Sequence, residues 1–289
     1  MSIIGNFFMI YVTIRSSKLR STCNIMIAFI SLGDLLHMFG HYVMVISHNL
    51  VPDHLIRQDV CTYLQLFPLC GFLASLVLLL NLAIDRLLSL QKFYLSLSRQ
   101  YKVAYTSVQV SSVLLYTLFF GIWIFISRST EEKVFCVLTA PLKDNLYAVL
   151  TRTLMIINIL IVLCYVVFMC LLKTVQISYD VMKNVYRSLI AISLTVVFGS
   201  FSTIFISFFA QTLELNINRA DVNLVSGLFV NSSCSINFFV FYAFSTDYRQ
   251  VFQEYLPCFG SKVSRVSTIT ANVIPFSSAA HSRRPSRIV

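Results

Sequence analysis

Residues 61–90 read CTYLQLFPLCGFLASLVLLLNLAIDRLLSL, an apolar run whose only formal charges are Asp85 and Arg86 near its end. A helix of this length rises 1.5 Å per residue and exceeds the ~30 Å hydrocarbon core of a bilayer. Leu, Ile and Val dominate, and Pro68 is the one proline in the run. Barrel strands would be ~10 residues long and alternate in polarity, which this stretch does not do. The stretch therefore predicts a transmembrane helix.

The same pattern recurs along the chain. Apolar runs stand at 1–14, 22–46, 61–90, 103–126, 147–175, 188–211 and 223–244. Six are long enough to cross. The first gives only ~21 Å of helix; either it is truncated at its outer end or the true start codon lies upstream. Composition agrees: 57% of the 289 residues are hydrophobic and 12% charged, with mean hydropathy +0.78. A soluble domain carries about 25% charged residues. A soluble globule, an intrinsically disordered chain, a collagen-like repeat and a small disulfide scaffold are excluded. No cleavable signal peptide is expected, because Met1 leads straight into an apolar run with no basic segment and no small-residue cleavage site.

The net charge of +10 resolves once it is placed along the chain. Connectors 15–21, 86–102 and 173–187, with everything after Ser245, hold sixteen Lys and Arg. With Asp85 at the helix end they hold four acids, a net +12. Connectors 47–59, 127–152 and 212–222 hold six basic and seven acidic residues, a net −1. Asp34, inside a run, supplies the last unit. Such asymmetry orients a polytopic protein, with the basic side cytoplasmic. The expectation is an extracellular N-terminus and a cytoplasmic C-terminus at the plasma membrane, with the lipid bilayer as a partner and no nucleic acid.

Asp34 is the one acid deep inside an apolar run. A carboxylate at mid-span costs ~2.5–3.5 kcal/mol on insertion scales and needs partners within the bundle. Asn6, Ser75, Asn81 and Asn237 are polar residues at mid-span on other helices that could surround it. The cluster reads either as a buried sodium-like or proton site coupling helix movements, or as a structural hydrogen-bond network. Cys61 opens the third run and Cys136 sits in the longest outer connector; both face an oxidising compartment, where a bridge could form and persist. Cys258 follows an amphipathic stretch and could be palmitoylated or remain a free thiol. His37 and His41, four apart on one helix face, have a spacing that can bind zinc, but no third ligand is evident. No metal and no cofactor are expected. After Cys258 the chain is rich in Ser, Thr and Arg without helical periodicity, which predicts disorder.

Several spacings act together. Cys61 and Arg86 lie 25 residues apart on one helix, Asp34 follows Asn6 by 28, and Asn237-Phe-Phe-Val-Phe precedes Tyr248-Arg249. This arrangement resembles the rhodopsin-like G-protein-coupled receptors. Finer features resemble the nematode serpentine chemoreceptors, most closely class Srsx. They are the stretch from Ile14 to Ala28, the Asp34–His37–Gly40-His41 pattern, Asp85-Arg-Leu-Leu-Ser89, Tyr186-Arg-Ser-Leu189 and Phe198-Gly199. The resemblance implies an all-α fold: a seven-transmembrane helix bundle with a short amphipathic eighth helix over residues 1–257, followed by a disordered cytoplasmic tail, 258–289. It implies a chemosensory receptor with a heterotrimeric G protein and an extracellular small-molecule or short-peptide ligand as partners.

In that frame Asp85 and Arg86 form the cytoplasmic lock, Asn6, Asp34, Ser75 and Asn237 the core site, and Cys61–Cys136 the staple over the bundle mouth. Asn237 and Tyr242 belong with the switch. The chain departs from the wider pattern: Phe238 stands where the superfamily has Pro, Phe241 where it has Tyr, and the sixth helix lacks the usual Trp and Pro. Tyr242 is adjacent but points about 100° away around the helix. Tyr165 on the fifth helix would replace part of the switch by reaching toward Arg86 in the active state. Pro68 takes the position of the amine-binding Asp, and the seventh run has no Lys for retinal, so amine and retinal ligands are discounted. The expected pocket joins the third-helix stripe Gln65, Pro68, Leu69 and Phe72 to Tyr147 and Thr151, Phe208 and Gln211, and Asn223, Gly227 and Asn231. No catalytic triad or phosphate loop indicates an enzyme. A transporter or channel would need inverted repeats or broken helices, and neither is evident. A non-signalling, decayed receptor is the third reading, for the short first helix and the missing seventh-helix proline both point that way.

Overall fold

The computed structural model describes residues 2–91, 93–94, 100–174, 191, 197–199, 201–203, 205–206 and 219–255. The regular structure of the described residues is helical apart from one short ribbon. Helix α1 spans Ser2–Arg15, a 3-10 turn covers Ser17–Leu19, and α2 runs Thr22–Leu50. Strand β1 (Ile56–Arg57) leads into α3 (Gln58–Leu88), then α4 (Lys102–Ile126), strand β2 (Lys133–Val134) and α5 (Asp144–Thr174). Helical residues 197–199, 201–203 and 205–206 are here α6. Helix α7 spans Arg219–Phe244 and α8 Thr246–Tyr255.

Among the described residues, five segments are long and apolar enough to cross a membrane: Thr22–Leu50, Gln58–Leu88, Lys102–Ile126, Asn145–Leu171 and Leu224–Ala243. Helix α1 is apolar but shorter, as its run predicts. Most of the sixth run lies outside the described residues, as does everything after Tyr255, including Cys258 and the tail.

Helix α3 is the axis of the bundle. In its most apolar window 61% of residues are buried, against 22% in α4. The apolar side chains of α4 that face outward, such as Leu115 and Ile126, therefore suit lipid contact, where no water competes for them. Among the described residues the most extensive packing is α2 against α3, followed by α1 against α2.

Small residues permit the α2–α3 approach. A Cβ placed on Gly71 would lie 2.6 Å from Leu36 Cβ and 2.7 Å from the Gly33 carbonyl oxygen. A Cβ on Gly33 would run into Ser75 Oγ. Without a hydrophobic drive between helices in lipid, such close backbone packing is a main source of association. The Ser75 hydroxyl donates to the Ile30 carbonyl at 3.2 Å across the same interface. Helix α2 begins cleanly because the Ser21 side chain accepts from the Asn24 amide, satisfying one of the free N–H groups of the first turn.

On the outer side the 127–143 connector is tied down over α3. Strands β1 and β2 pair antiparallel, Ile56 opposite Val134 and Arg57 opposite Lys133. The Gln58 amide side chain accepts from Ser129 N and donates to the Ala140 carbonyl. Cys61 and Cys136 form a disulfide. At the opposite end α8 buries Tyr248, Val251 and Phe252 and exposes Arg249, Gln250 and Glu254. Its apolar face meets α1 and α7 through Phe8–Phe252 and Phe241–Tyr248 ring contacts. Tyr248 also shares a 3.0 Å hydrogen bond with Thr13.

Replacing Gly71 with Val should force α2 and α3 apart. Overpacking of this kind costs ~1–3 kcal/mol. The melting temperature of purified protein should fall, and an unchanged value would mean the two backbones do not need this approach.

Candidate functional site

Three polar groups stand in series along the bundle. The first is the core cluster on Asp34. Asp34 is buried, and Asn237 Nδ2 donates to its Oδ2 at 2.8 Å. The Ser75 and Cys234 side chains also face the carboxylate. Asn6, expected beside Asp34, bonds instead to Ser2 Oγ at 3.3 Å and the Cys234 carbonyl at 3.5 Å. It sits next to the cluster, bound to α7 rather than to the acid. Asn81 corrects a second expectation: its amide donates to Gln109 O and Ser112 Oγ on α4. It lies almost two turns below Ser75 and on another face of α3. The oxygens Asn6 Oδ1 and Asn237 Oδ1 are buried without hydrogen-bond partners among the described residues.

The second group is at the other end of α3. Asp85 is fully buried and paired with Arg86. Its Oδ1 also accepts from Tyr94 Oη at 2.9 Å and Tyr105 Oη at 3.0 Å. Burial, and then the Asp85 carboxylate, hold the Tyr94 hydroxyl above its ordinary range, so it stays a donor at physiological pH. The sequence reading missed both tyrosines. They lie outside the third run, and no local pattern links them to Asp85. Tyr165 is buried in the central apolar core with Ile161 and Val162. Tyr242 is half-buried and packs on Phe238 and Phe252, turned toward α8, while Phe241 takes the buried position against Tyr248. Phe238, the residue in place of proline, sits where a Cβ on Gly5 would lie 2.8 Å from its own Cβ. The missing side chain at Gly5 makes room for it.

The third group is a cavity of about 230 Å³ under the stapled connector. Of the expected lining residues, Leu69, Phe72, Tyr147, Thr151, Gly227 and Asn231 are in its wall. Gln65 and Pro68 are not. Both are buried against α2, and Gln65 Nε2 donates to the Gly40 and Cys136 carbonyls. The close approach of α2 covers the upper half of the predicted stripe and turns Gln65 into a tie between α2, α3 and the connector. Phe208 and Gln211 lie outside the described residues, as does the side chain of Asn223. The wall also includes Val137, Leu138 and Thr139 of the connector and Thr203 of α6.

Helix α2 contributes His37, His41 and Met44 to the cavity, which the sequence reading did not anticipate. His37 Nε2 and His41 Nε2 lie 3.1 and 2.8 Å from Asn231 Oδ1. The signal was present, since a polar pair four apart on an otherwise apolar face needs a partner. The sequence presents the pair as a zinc-type spacing and as part of the family pattern, not as partners of α7. No group of three or more His, Cys, Asp or Glu suited to a metal occurs among the described residues.

A cavity under a disulfide-held connector, a polar core and a buried acid–arginine pair now lie along one helical bundle. The family model for the serpentine type 7TM GPCR chemoreceptor Srsx matches residues 1–256. The chain belongs to the Srsx family. It is therefore a chemosensory G-protein-coupled receptor and a multi-pass membrane protein, of a receptor family rather than an enzyme family. No curated protein matches it.

Replacing Asn237 with Leu in this Srsx receptor leaves the Asp34 carboxylate short of its closest donor. A hydrogen bond to a charged group is worth ~1.5–3 kcal/mol, so thermal stability should fall measurably. Asp34→Asn, which retains an acceptor oxygen, should lose less; equal loss from both would count against the pairing as the stabilising contact.

Proposed function

We propose that the cavity is the ligand site and the Asp85–Arg86 end of the bundle is the coupling site for a heterotrimeric G protein. The carrying observation is their separation along one helix. Phe72 lines the cavity and Arg86 lies 14 residues further on in α3, ~21 Å away at 1.5 Å per residue. A ligand that prefers one bundle arrangement shifts the population toward it, and only such a difference in affinity transmits a signal. The ligand is a small molecule or short peptide entering from outside, beneath the Cys61–Cys136 staple. Residues 1–257 form the receptor domain in the plasma membrane, with the N-terminus extracellular and the segment from 258 cytoplasmic.

Between the two sites, Asp34, Asn237, Ser75 and Asn6 act as the coupler. Their buried carboxylate and partnerless amide oxygens are the hard donors that a small cation takes, which supports a sodium-like site. The amphipathic α8 serves as the eighth helix at the cytoplasmic interface, and Cys258 beyond it would carry a lipid. Asp85 holds Arg86 in the resting state; Tyr165, Asn237 and Tyr242 take part in the switch.

Two substitutions test this reading in cells by G-protein activation alongside surface expression. Asp85→Asn frees Arg86 and should raise ligand-independent signalling several-fold. Tyr165→Phe should lower signalling at unchanged surface expression. Ligand-gated current in cells lacking G proteins would favour a channel instead.

A further inference from the structure

The cavity is closed at its α2–α7 corner by an arrangement that has a definite polarity. An amide oxygen can only accept, so His37 Nε2 and His41 Nε2 both carry protons and both donate to Asn231 Oδ1. Two donors from one helix fix the orientation of the amide, with its oxygen toward α2. The Asn231 NH2 is left without a partner among the described residues. His37, only 4% exposed, stacks obliquely on Phe72 at 5.2 Å, which holds its ring in place behind the amide. The hydroxyls of Thr151 and Thr203 donate to the main-chain carbonyls of Tyr147 and Gly199, so they offer lone pairs rather than protons.

The rest of the wall is mainly apolar, with Met44, Leu69, Phe72 and Leu142 prominent, and adds Thr139, Tyr147 and Ser226. No Asp, Glu, Lys or Arg lines it among the described residues. An ammonium or carboxylate entering here would lose its water with no Asp, Glu, Lys or Arg of the described residues to meet it. The volume of about 230 Å³ lies just below the ~300–1,000 Å³ of drug-sized ligand pockets, so the ligand is small, on the order of ten non-hydrogen atoms. At Gly227, in the wall, an added Cβ would meet nothing within 4 Å among the described residues.

We infer that the cavity takes an uncharged, largely hydrocarbon molecule with one acceptor oxygen, a ketone or an alcohol, that receives a hydrogen bond from the Asn231 amide nitrogen. This rests on the reading of the cavity as the ligand site and narrows that ligand to one chemical class. His37 and His41 are positioning residues: they aim Asn231 and need not touch the ligand.

The test is thermal unfolding of the full chain in lipid nanodiscs with nonanone, octanol, octanoate and octylammonium as probes. Nonanone and octanol should raise the melting temperature by about 2–4 °C, and the two ions should not. Equal shifts from the ions, or none from either neutral probe, would overturn the inference. Asn231→Asp keeps an oxygen for both imidazoles but replaces the NH2 with a second acceptor. It should lose the nonanone shift and gain one with octylammonium; an unchanged nonanone shift overturns the inference.

Gly227→Leu adds a side chain to the cavity wall and raises helix propensity. It should fold as well as the parent and respond to no probe. A retained shift would mean that the probes act by dissolving in lipid, and the inference fails; this variant decides the matter even where Asn231→Asp does not fold. Binding of nonanone without G-protein activation would overturn the signalling reading and leave this inference intact. G-protein activation by octanoate, with no shift from the neutral probes, would do the reverse.

Discussion

Helices α2 and α3 touch backbone to backbone at Gly33 and Gly71, and the positions of the other polar groups follow from that contact. In lipid there is no hydrophobic gain from bringing two apolar helices together, so dispersion contacts and interhelical hydrogen bonds must hold them. The close approach supplies both. It lets Ser75 reach the Ile30 carbonyl and Gln65 reach the Gly40 carbonyl. It also sets the rotation of α2, and therefore the direction in which Asp34, His37 and His41 point. Those three residues face α7, where Asn237 and Asn231 meet them.

The α2–α7 seam is consequently a polar strip inside an apolar bundle. Asp34, His37 and Asn237 on it are buried, so each of their partners counts for more than it would at a surface. At the cavity end the strip is neutral and built from imidazole and amide. One turn deeper it holds the carboxylate of Asp34. Both kinds of polar contact join the same helix pair, so a shift of α7 by a fraction of a turn would alter both sets of bonds together.

Much of the helix plan was legible in residue order. The runs at 22–46, 61–90, 103–126, 147–175 and 223–244 correspond to α2, α3, α4, α5 and α7, with ends differing by a few residues. Helix α2 runs four residues past its apolar run, and α3 and α5 begin three residues before theirs, because the apolar run marks the hydrocarbon whereas a helix continues into the polar margin. The Cys61–Cys136 bridge is present. Half of the predicted third-helix stripe lines the cavity. The other half, Gln65 and Pro68, does not, since helical spacing says which residues share a face but not which neighbour covers it. Asn81 fails as a partner of Asp34 for a related reason: it lies almost two turns below Ser75 and faces α4 instead of α2. Tyr94 and Tyr105 could not have been assigned to Asp85, because their meeting depends on how the chain after α3 folds back.

Residue order alone determined that this chain is a helical membrane protein, which segments enter the bilayer, which connectors carry the basic charge and which family it resembles. These are one-dimensional properties: hydropathy, length, charge count and motif spacing. Tertiary structure decided which faces meet. It made His37 and His41 a pair of donors to Asn231 rather than a metal spacing, turned Gln65 into a tie between helices, and seated Phe238 over Gly5. The physical reason is that helix rotation and crossing are set by packing among several helices at once, and no single helix carries that information in its own periodicity.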